Sequence, residues 1–219
     1  MRTWLDENFF DRDAMVVAKD LLGKVLRHKV AGMWLSAQII EAEAYYLAEK
    51  ASHSSLGYSE SRKALFMPAG TIYMYYARGQ DSFNTCCKGE GNAVLFKAGI
   101  PYVDDLSENA KNRMIKQMQE YNPVINLKTG EKRIRPANKL CSGQTLLCRS
   151  LGLKVPRWRA KPYDPTQLRL EDTGYRPADI IQTSRLGIPK GRDEHLPYRF
   201  IDKRYAKDCT QNPLLVKRK

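Results

Sequence analysis

Met33 to Tyr46 reads as one strand, and its second half most narrows what this chain can fold into. Ile39-Ile40-Glu41-Ala42-Glu43-Ala44-Tyr45-Tyr46 has the apolar and aromatic content of a buried strand, yet it carries two carboxylates. His53 follows within a few residues. A second tyrosine-rich strand, Thr71-Ile72-Tyr73-Met74-Tyr75-Tyr76, lies one loop further on. A carboxylate, aromatic faces and an imidazole are the parts of a pocket that stacks a flat ring and performs hydrolysis beside it.

The elements around these strands point to a mixed architecture. Residues 11–22 show helical spacing of Ala14, Val17, Ala18, Leu21 and Leu22, with Gly23 where a C′ residue belongs. Lys24 to Lys29 reads as a strand joined to Met33–Tyr46 through a turn at Ala31-Gly32. Leu47 to Met67 is polar and loop-like. Ser82 to Cys87 and Ala93 to Lys97 form a further strand pair around a turn at residues 88–92. Helices are expected over 104–121 and 136–151, the second with Pro136 in its first turn and Gly152 at its end. The last third is less regular, with short strands at 180–186 and 198–202 and a flexible basic tail over 210–219. Strands and helices without βαβ alternation indicate an α+β fold, taken as a single domain over 1–219.

Composition bounds the function. The formal net charge of +13 over 219 residues favours contact with a polyanion, nucleic acid above all. There is no apolar run of eighteen residues for a membrane span, and the N-terminus lacks a signal-peptide core. A cytoplasmic location is expected in a bacterium, close to the nucleoid, or a nuclear one in a eukaryote. The five cysteines are odd in number and lack Cys-x-x-Cys spacing, so buried reduced thiols are expected rather than a disulfide framework or structural zinc. His28 and His195 stand alone. A basic stretch containing Arg133, Arg135, Lys139, Lys154, Arg157, Arg159 and Lys161 could follow phosphates or be scattered surface charge.

Glu43 is the leading candidate for chemistry. A carboxylate near a strand end between Ala and Tyr can be held partly desolvated and aimed at a water. Glu41 is read as a solvated surface residue. Two-residue spacing puts the two on the same side of a regular strand, whereas a bend near Ala42 would separate them. Spacing alone does not choose between them. Tyr45 and Tyr75 could supply ring faces, with His53 as a third wall or a hydrogen-bond donor.

In order along the chain, these residues resemble the alkyladenine (3-methyladenine) DNA glycosylase family. The resemblance rests on Glu43-Ala44-Tyr45, His53-Ser54 and Phe66-Met67-Pro68-Ala69-Gly70-Thr71-Ile72-Tyr73-Met74-Tyr75. It continues through Phe83-Asn84, Gly89-Glu90-Gly91-Asn92-Ala93-Val94-Leu95, Lys139-Leu140-Cys141 and Tyr198-Arg199-Phe200, spanning residues 12 to 203. It implies one domain with a curved, largely antiparallel sheet flanked by helices, and a hairpin presented to the minor groove of duplex DNA. It also implies a monomer that flips a damaged purine from the stack, hydrolyses its N-glycosidic bond, and uses no metal or organic cofactor. By position, Glu43 matches the general base. Tyr45, His53 and Tyr75 match residues that hold the flipped base, and Asn84 matches a pocket Asn that excludes guanine.

Two departures from the family pattern bear on substrate range and on the efficiency of flipping. Where the family inserts a Tyr between bases, this chain has Arg78-Gly79, with Tyr76 two residues earlier. Where the family has an Arg near the catalytic water, this chain has Lys97, which keeps the charge but loses the fork of donors. Two rivals stand beside the glycosylase reading: a non-catalytic lesion- or nucleic-acid-binding protein on the same scaffold, and a related module acting on tRNA or formyl substrates.

Overall fold

A computed structural model of the protein describes residues 3–103 and 106–215. In chain order, the strand β1 (Thr3–Trp4) precedes helices α1 (Glu7–Phe10) and α2 (Ala14–Leu21). The strands β2 (Val25–Val30) and β3 (Met33–Tyr45) follow, then β4 (Ile72–Ala77), β5 (Gln80–Cys86) and β6 (Ala93–Pro101). Helix α3 (Glu108–Tyr121) leads to a small hairpin of β7 (Val124–Ile125) and β8 (Lys132–Arg133). The chain ends with α4 (Gln144–Ser150), α5 (Val155–Trp158), β9 (Leu168–Asp172), β10 (Ile180–Thr183) and β11 (Arg199–Asp202). The fold is α+β: among the described residues a nine-stranded sheet runs β1-β9-β2-β3-β6-β5-β4, with β11 beside β3 and β10 beside β11. Every pairing in it is antiparallel.

Local signals explain the elements that position the site. Asp13 caps α2 by accepting from the Met15 and Val16 amides, and Ala14, Val17, Ala18 and Leu21 are buried from that helix. Both α2 and α4 pack on the sheet, α2 over β3 and β6, α4 over β5 and β6. The β2–β3 hairpin turns through Ala31 and Gly32, both at positive φ, as hairpins of matching twist require. β3 is long enough to change partners. β2 pairs with Met33 to Gln38, and β11 takes over at Glu41 to Glu43, while β6 runs along its other edge. This central place explains why nearly all of β3 is buried.

Three expectations are corrected. The helix expected over 136–151 is broken: a short turn at Ala137–Lys139 is separated from α4 by Gly143 at φ 147°. The intervening chain leaves helical geometry so that the Cys141 carbonyl can accept from the Gly99 amide of β6. β9 lies in the stretch expected to be irregular, with Leu168 and Leu170 buried. Glu41 is not a surface residue but is fully buried. The other expected strands appear within a few residues of their predicted bounds. The helix expected over 104–121 starts at Glu108, capped by Ser107, while 104–105 lie outside the described residues.

Of the basic tail over 210–219, residues 216–219 lie outside the described residues. The Thr210 amide donates to Glu41, and the Gln211 carbonyl accepts from Arg199. All five cysteines are free and buried. Among the described residues no helix is long and apolar enough to cross a membrane.

Candidate active site

A paired irregularity in the β3–β6 ladder determines where the two glutamates point. Glu43 faces Leu95 and Ala42 faces Phe96, so an unbroken register would set Glu41 opposite Lys97. Instead Glu41 is opposite Ala98, and the regular register resumes at Ile39 and Gly99. Lys97 is the extra residue on β6 and Ile40 the extra residue on β3, a bulge on each strand. Lys97 thereby serves Glu43: its Nζ lies 3.2 Å from Oε1 and donates to Oε2 at 3.3 Å.

The Glu43 carboxylate has no solvent exposure. Besides Lys97 it accepts from the Tyr45 hydroxyl at 2.8 Å and from the Leu186 amide at 3.3 Å. These three partners line a cavity of about 890 Å³. The carboxylate thus sits directly behind a cavity wall, held by donors that face the cavity. A buried carboxylate is costly unless paired and hydrogen-bonded, and here both conditions are met.

The same cavity is lined by His53, Tyr73, Tyr75 and Asn84. Tyr73 and Tyr75 project from the same side of β4 and stack, with ring centroids 5.4 Å apart and planes inclined by 22°. The His53 ring stands edge-on to Tyr75, centroids 4.5 Å apart, and its Nδ1 shares a 2.9 Å hydrogen bond with the Tyr73 hydroxyl. Burial lowers the His53 pKa below 6.5, and the nearby Arg62 and Arg192 cations lower it further, so the ring is neutral at pH 7. Burial likewise raises the pKa of the Tyr45 and Tyr75 phenols, which stay protonated. Asn84 is buried opposite Tyr73 and donates from Nδ2 to the Tyr73 carbonyl at 3.1 Å.

Gly91 brings the loop carrying His53 against the sheet. A Cβ there would come within 2.9 Å of both the Leu47 and Ser54 Cβ atoms, so only glycine allows this approach.

The β4–β5 hairpin stands at the cavity mouth. Arg78 and Gly79 form its two-residue tip, at φ 51° and 74°. Arg78 is exposed and lines the cavity, whereas Tyr76 is exposed on the hairpin away from the lining residues. The hairpin is braced from behind: Arg149 donates to Gln80, and Asp81 accepts from Lys154 and the Val155 amide. Of the basic stretch, Lys139 pairs with Asp208 and Arg157 donates to Gln167, so these residues do not form one free track.

The structure thus brings Glu43, Lys97, Tyr45, His53, Tyr75, Asn84 and Arg78 to one cavity and leaves Tyr76 outside its lining. It adds four residues not singled out from sequence. Tyr73 was readable, since it shares a strand face with Tyr75. Leu186, Arg185 and Glu49 were not, because Leu186 contributes a backbone amide and Arg185 meets Glu49 from 136 positions away.

The methylpurine-DNA glycosylase family matches residues 8–206. A protein of Pseudomonas syringae pv. tomato provisionally named 3-methyladenine DNA glycosylase is 60% identical over 96% of this chain and 91% of its own length. One from Pseudomonas aeruginosa strain UCBPP-PA14, with the same provisional name, is 56% identical over 96% and 84%. A more distant one from Koribacter versatilis is 30% identical over 90% and 88%. The chain therefore belongs to the methylpurine-DNA glycosylase family of DNA-repair enzymes.

Proposed function

We propose that this protein excises alkylated purines, 3-methyladenine among them, from duplex DNA by flipping the damaged nucleotide into the Tyr45–His53–Tyr75 cavity and hydrolysing its N-glycosidic bond. The observation that carries this reading is the placement of Glu43, buried behind the cavity wall and held by three groups that line it. The volume suits a small-molecule-sized guest. Extrusion is needed because the bond is shielded inside the duplex, and it is cheapest for bases that pair poorly.

In this account the flipped base stacks on Tyr45 and against the His53–Tyr73–Tyr75 cluster. A ring face attracts a cationic alkylpurine. Glu43 takes a proton from a water whose oxygen attacks C1′ from the side opposite the base, and the purine leaves with the bonding electrons. The contacts from Lys97 and Leu186, at 3.2–3.3 Å, are the long ones that such a water would replace. Catalytic hydrogen bonds commonly tighten only when substrate is bound. Lys97 balances the charge of Glu43 without being consumed. A cationic purine is already a good leaving group, whereas a neutral deaminated base such as hypoxanthine needs a proton supplied to it.

Asn84 is assigned to exclusion of undamaged guanine. Arg78, at the hairpin tip, is assigned to the space vacated in the minor groove, with Tyr76 beside it on the DNA-facing hairpin. The protein acts as a monomer in this account, and needs neither metal nor organic cofactor. Incubation with duplexes containing 3-methyladenine, 7-methylguanine, ethenoadenine or hypoxanthine tests the reading. Alkali-labile sites should form at the alkylated purines, with no strand breaks before alkali treatment. Tight lesion binding without base release, under excess protein, would instead support a non-catalytic lesion-binding role.

A further inference from the structure

We propose that the buried Arg185–Glu49 pair is a positioning device behind Tyr45, and that its cancelled charge sets the cavity's preference for cationic over neutral purines. This rests on the glycosylase reading above and adds a determinant of specificity to it.

The pair ties together the two stretches of chain that build the cavity wall. The Arg185 side chain has no solvent exposure, and Glu49 is 5% exposed. The guanidinium meets the Glu49 carboxylate with two parallel contacts, one of them 2.7 Å from Nη1 to Oε1 and the other from Nη2 to Oε2. Nη1 also donates to the Ala44 carbonyl at 2.9 Å, and Glu49 accepts from the Tyr46 amide at 2.6 Å. Both residues therefore grip the end of β3 on either side of Tyr45. The residue after Arg185 is Leu186, whose amide donates to Glu43. Moving Arg185 would move the Leu186 donor with it.

The electrostatic consequence comes from the stacking. The guanidinium carbon lies 4.5 Å from the Tyr45 ring centroid and 5.3 Å from that of Tyr198. Arg185 does not line the cavity, whereas Tyr45 does, so the guanidinium occupies the back of the ring. A ring attracts a cation through its electron-rich face. A cation resting on the back draws that density away and repels a second cation on the front. Glu49 removes most of this penalty by pairing with Arg185 bidentately. The front of Tyr45 thereby stays attractive to a cationic base, while a neutral base is little affected either way.

Single-turnover base release from duplexes carrying 7-methylguanine, which is cationic, or hypoxanthine, which is neutral, tests this. Glu49→Gln leaves the guanidinium charge uncancelled and should lower the ratio of the two rates about tenfold, the scale of one charge acting across a stacked ring. The double variant Glu49→Gln/Arg185→Gln should bring the ratio back to within about threefold of wild type, although both rates fall as Leu186 loses its anchor. Glu49→Asp withdraws the carboxylate without removing it and should lower the ratio by a smaller factor. This variant decides the matter if Glu49→Gln does not fold. If Glu49→Gln, or Glu49→Asp in its place, slows both substrates equally, the pair is only a structural tie and the proposal is overturned. If wild type releases neither base, the glycosylase reading itself fails. Release by wild type with an unchanged ratio in the variants overturns only this inference.

Discussion

Glu41 and Glu43 lie two residues apart on one strand, are both fully buried, and are both paired with a cation, yet they occupy different kinds of site. The Glu41 carboxylate is held by Arg199, 2.6 Å away, and by the Thr210 amide at 2.9 Å. Arg199 is in turn fixed by the Gln211 carbonyl, so this region joins β3, β11 and the C-terminal segment. The Glu43 carboxylate is held by groups that form the wall of a large cavity. Thr210 and Gln211 line that cavity too, but Arg199, the charged partner of Glu41, does not, and both Glu41 contacts are short. Two of the Glu43 contacts are long, at 3.2–3.3 Å, and can give way to a water. A buried ion pair alone is therefore weak evidence of catalysis. What distinguishes Glu43 is that its cation, Lys97, lines space a substrate can enter, whereas Arg199, the cation of Glu41, is buried outside that lining.

The sharpest way to break this comparison is to neutralise each carboxylate in turn. Glu43→Gln should slow base release by roughly 10²–10⁴, as for loss of a general base, while binding to lesion DNA survives. Glu41→Gln should do the reverse. It leaves Arg199 buried without a charged partner and should cost about 3 kcal/mol of unfolding free energy in urea. Base release per folded molecule should stay within a few-fold of wild type. A large loss of activity in folded Glu41→Gln protein would mean that the Glu41–Arg199 region also takes part in chemistry.

A smaller effect separates structural from functional titration. His28 is buried outside the cavity lining, its Nε2 accepting from Trp158 Nε1 at 3.3 Å and its Nδ1 2.7 Å from the Leu151 carbonyl. Accepting from Trp158 makes the ring neutral, with the proton on Nδ1 and donated to Leu151. Burial lowers the His28 pKa below 6.5. The folded protein therefore binds fewer protons here than the unfolded chain. Stability from this site is intact above about pH 6.5 and is lost as pH falls toward the lower, folded-state value. Wild type should lose stability between pH 7 and pH 5.5 from this group. His28→Gln should flatten that part of the curve, as followed by urea midpoints. An equal loss in both proteins would remove His28 from the account and leave the slope to His53 or other groups.

The residues that gather at the cavity were readable in advance, but long-range register was not. Glu43, Tyr45, His53, Tyr75 and Asn84 could be named because strand content, aromatic clustering and family resemblance all concern nearby residues. The bulges that turn Lys97 from Glu41 toward Glu43 depend on how β3 pairs with β6 some fifty residues later. Nothing local to Glu41 signals that Arg199 will bury it. The broken helix near Gly143 teaches the same lesson, since the Gly99–Cys141 hydrogen bond overrides a plausible helical pattern. β9 is a different case: Leu168 and Leu170 alternate with Arg169 and Glu171 as in a half-buried strand, and that signal was present. Arg185 and Leu186 follow β10 in an irregular segment, where their contacts are set only by the folded chain.

Single-turnover base release by Glu43→Gln and Glu41→Gln, measured side by side on a 7-methylguanine duplex and corrected for folded fraction, most directly tests the assignment of the catalytic carboxylate. The account predicts a loss of at least about 10²-fold for the first and a near wild-type rate for the second. Near wild-type release by folded, DNA-bound Glu43→Gln would contradict it.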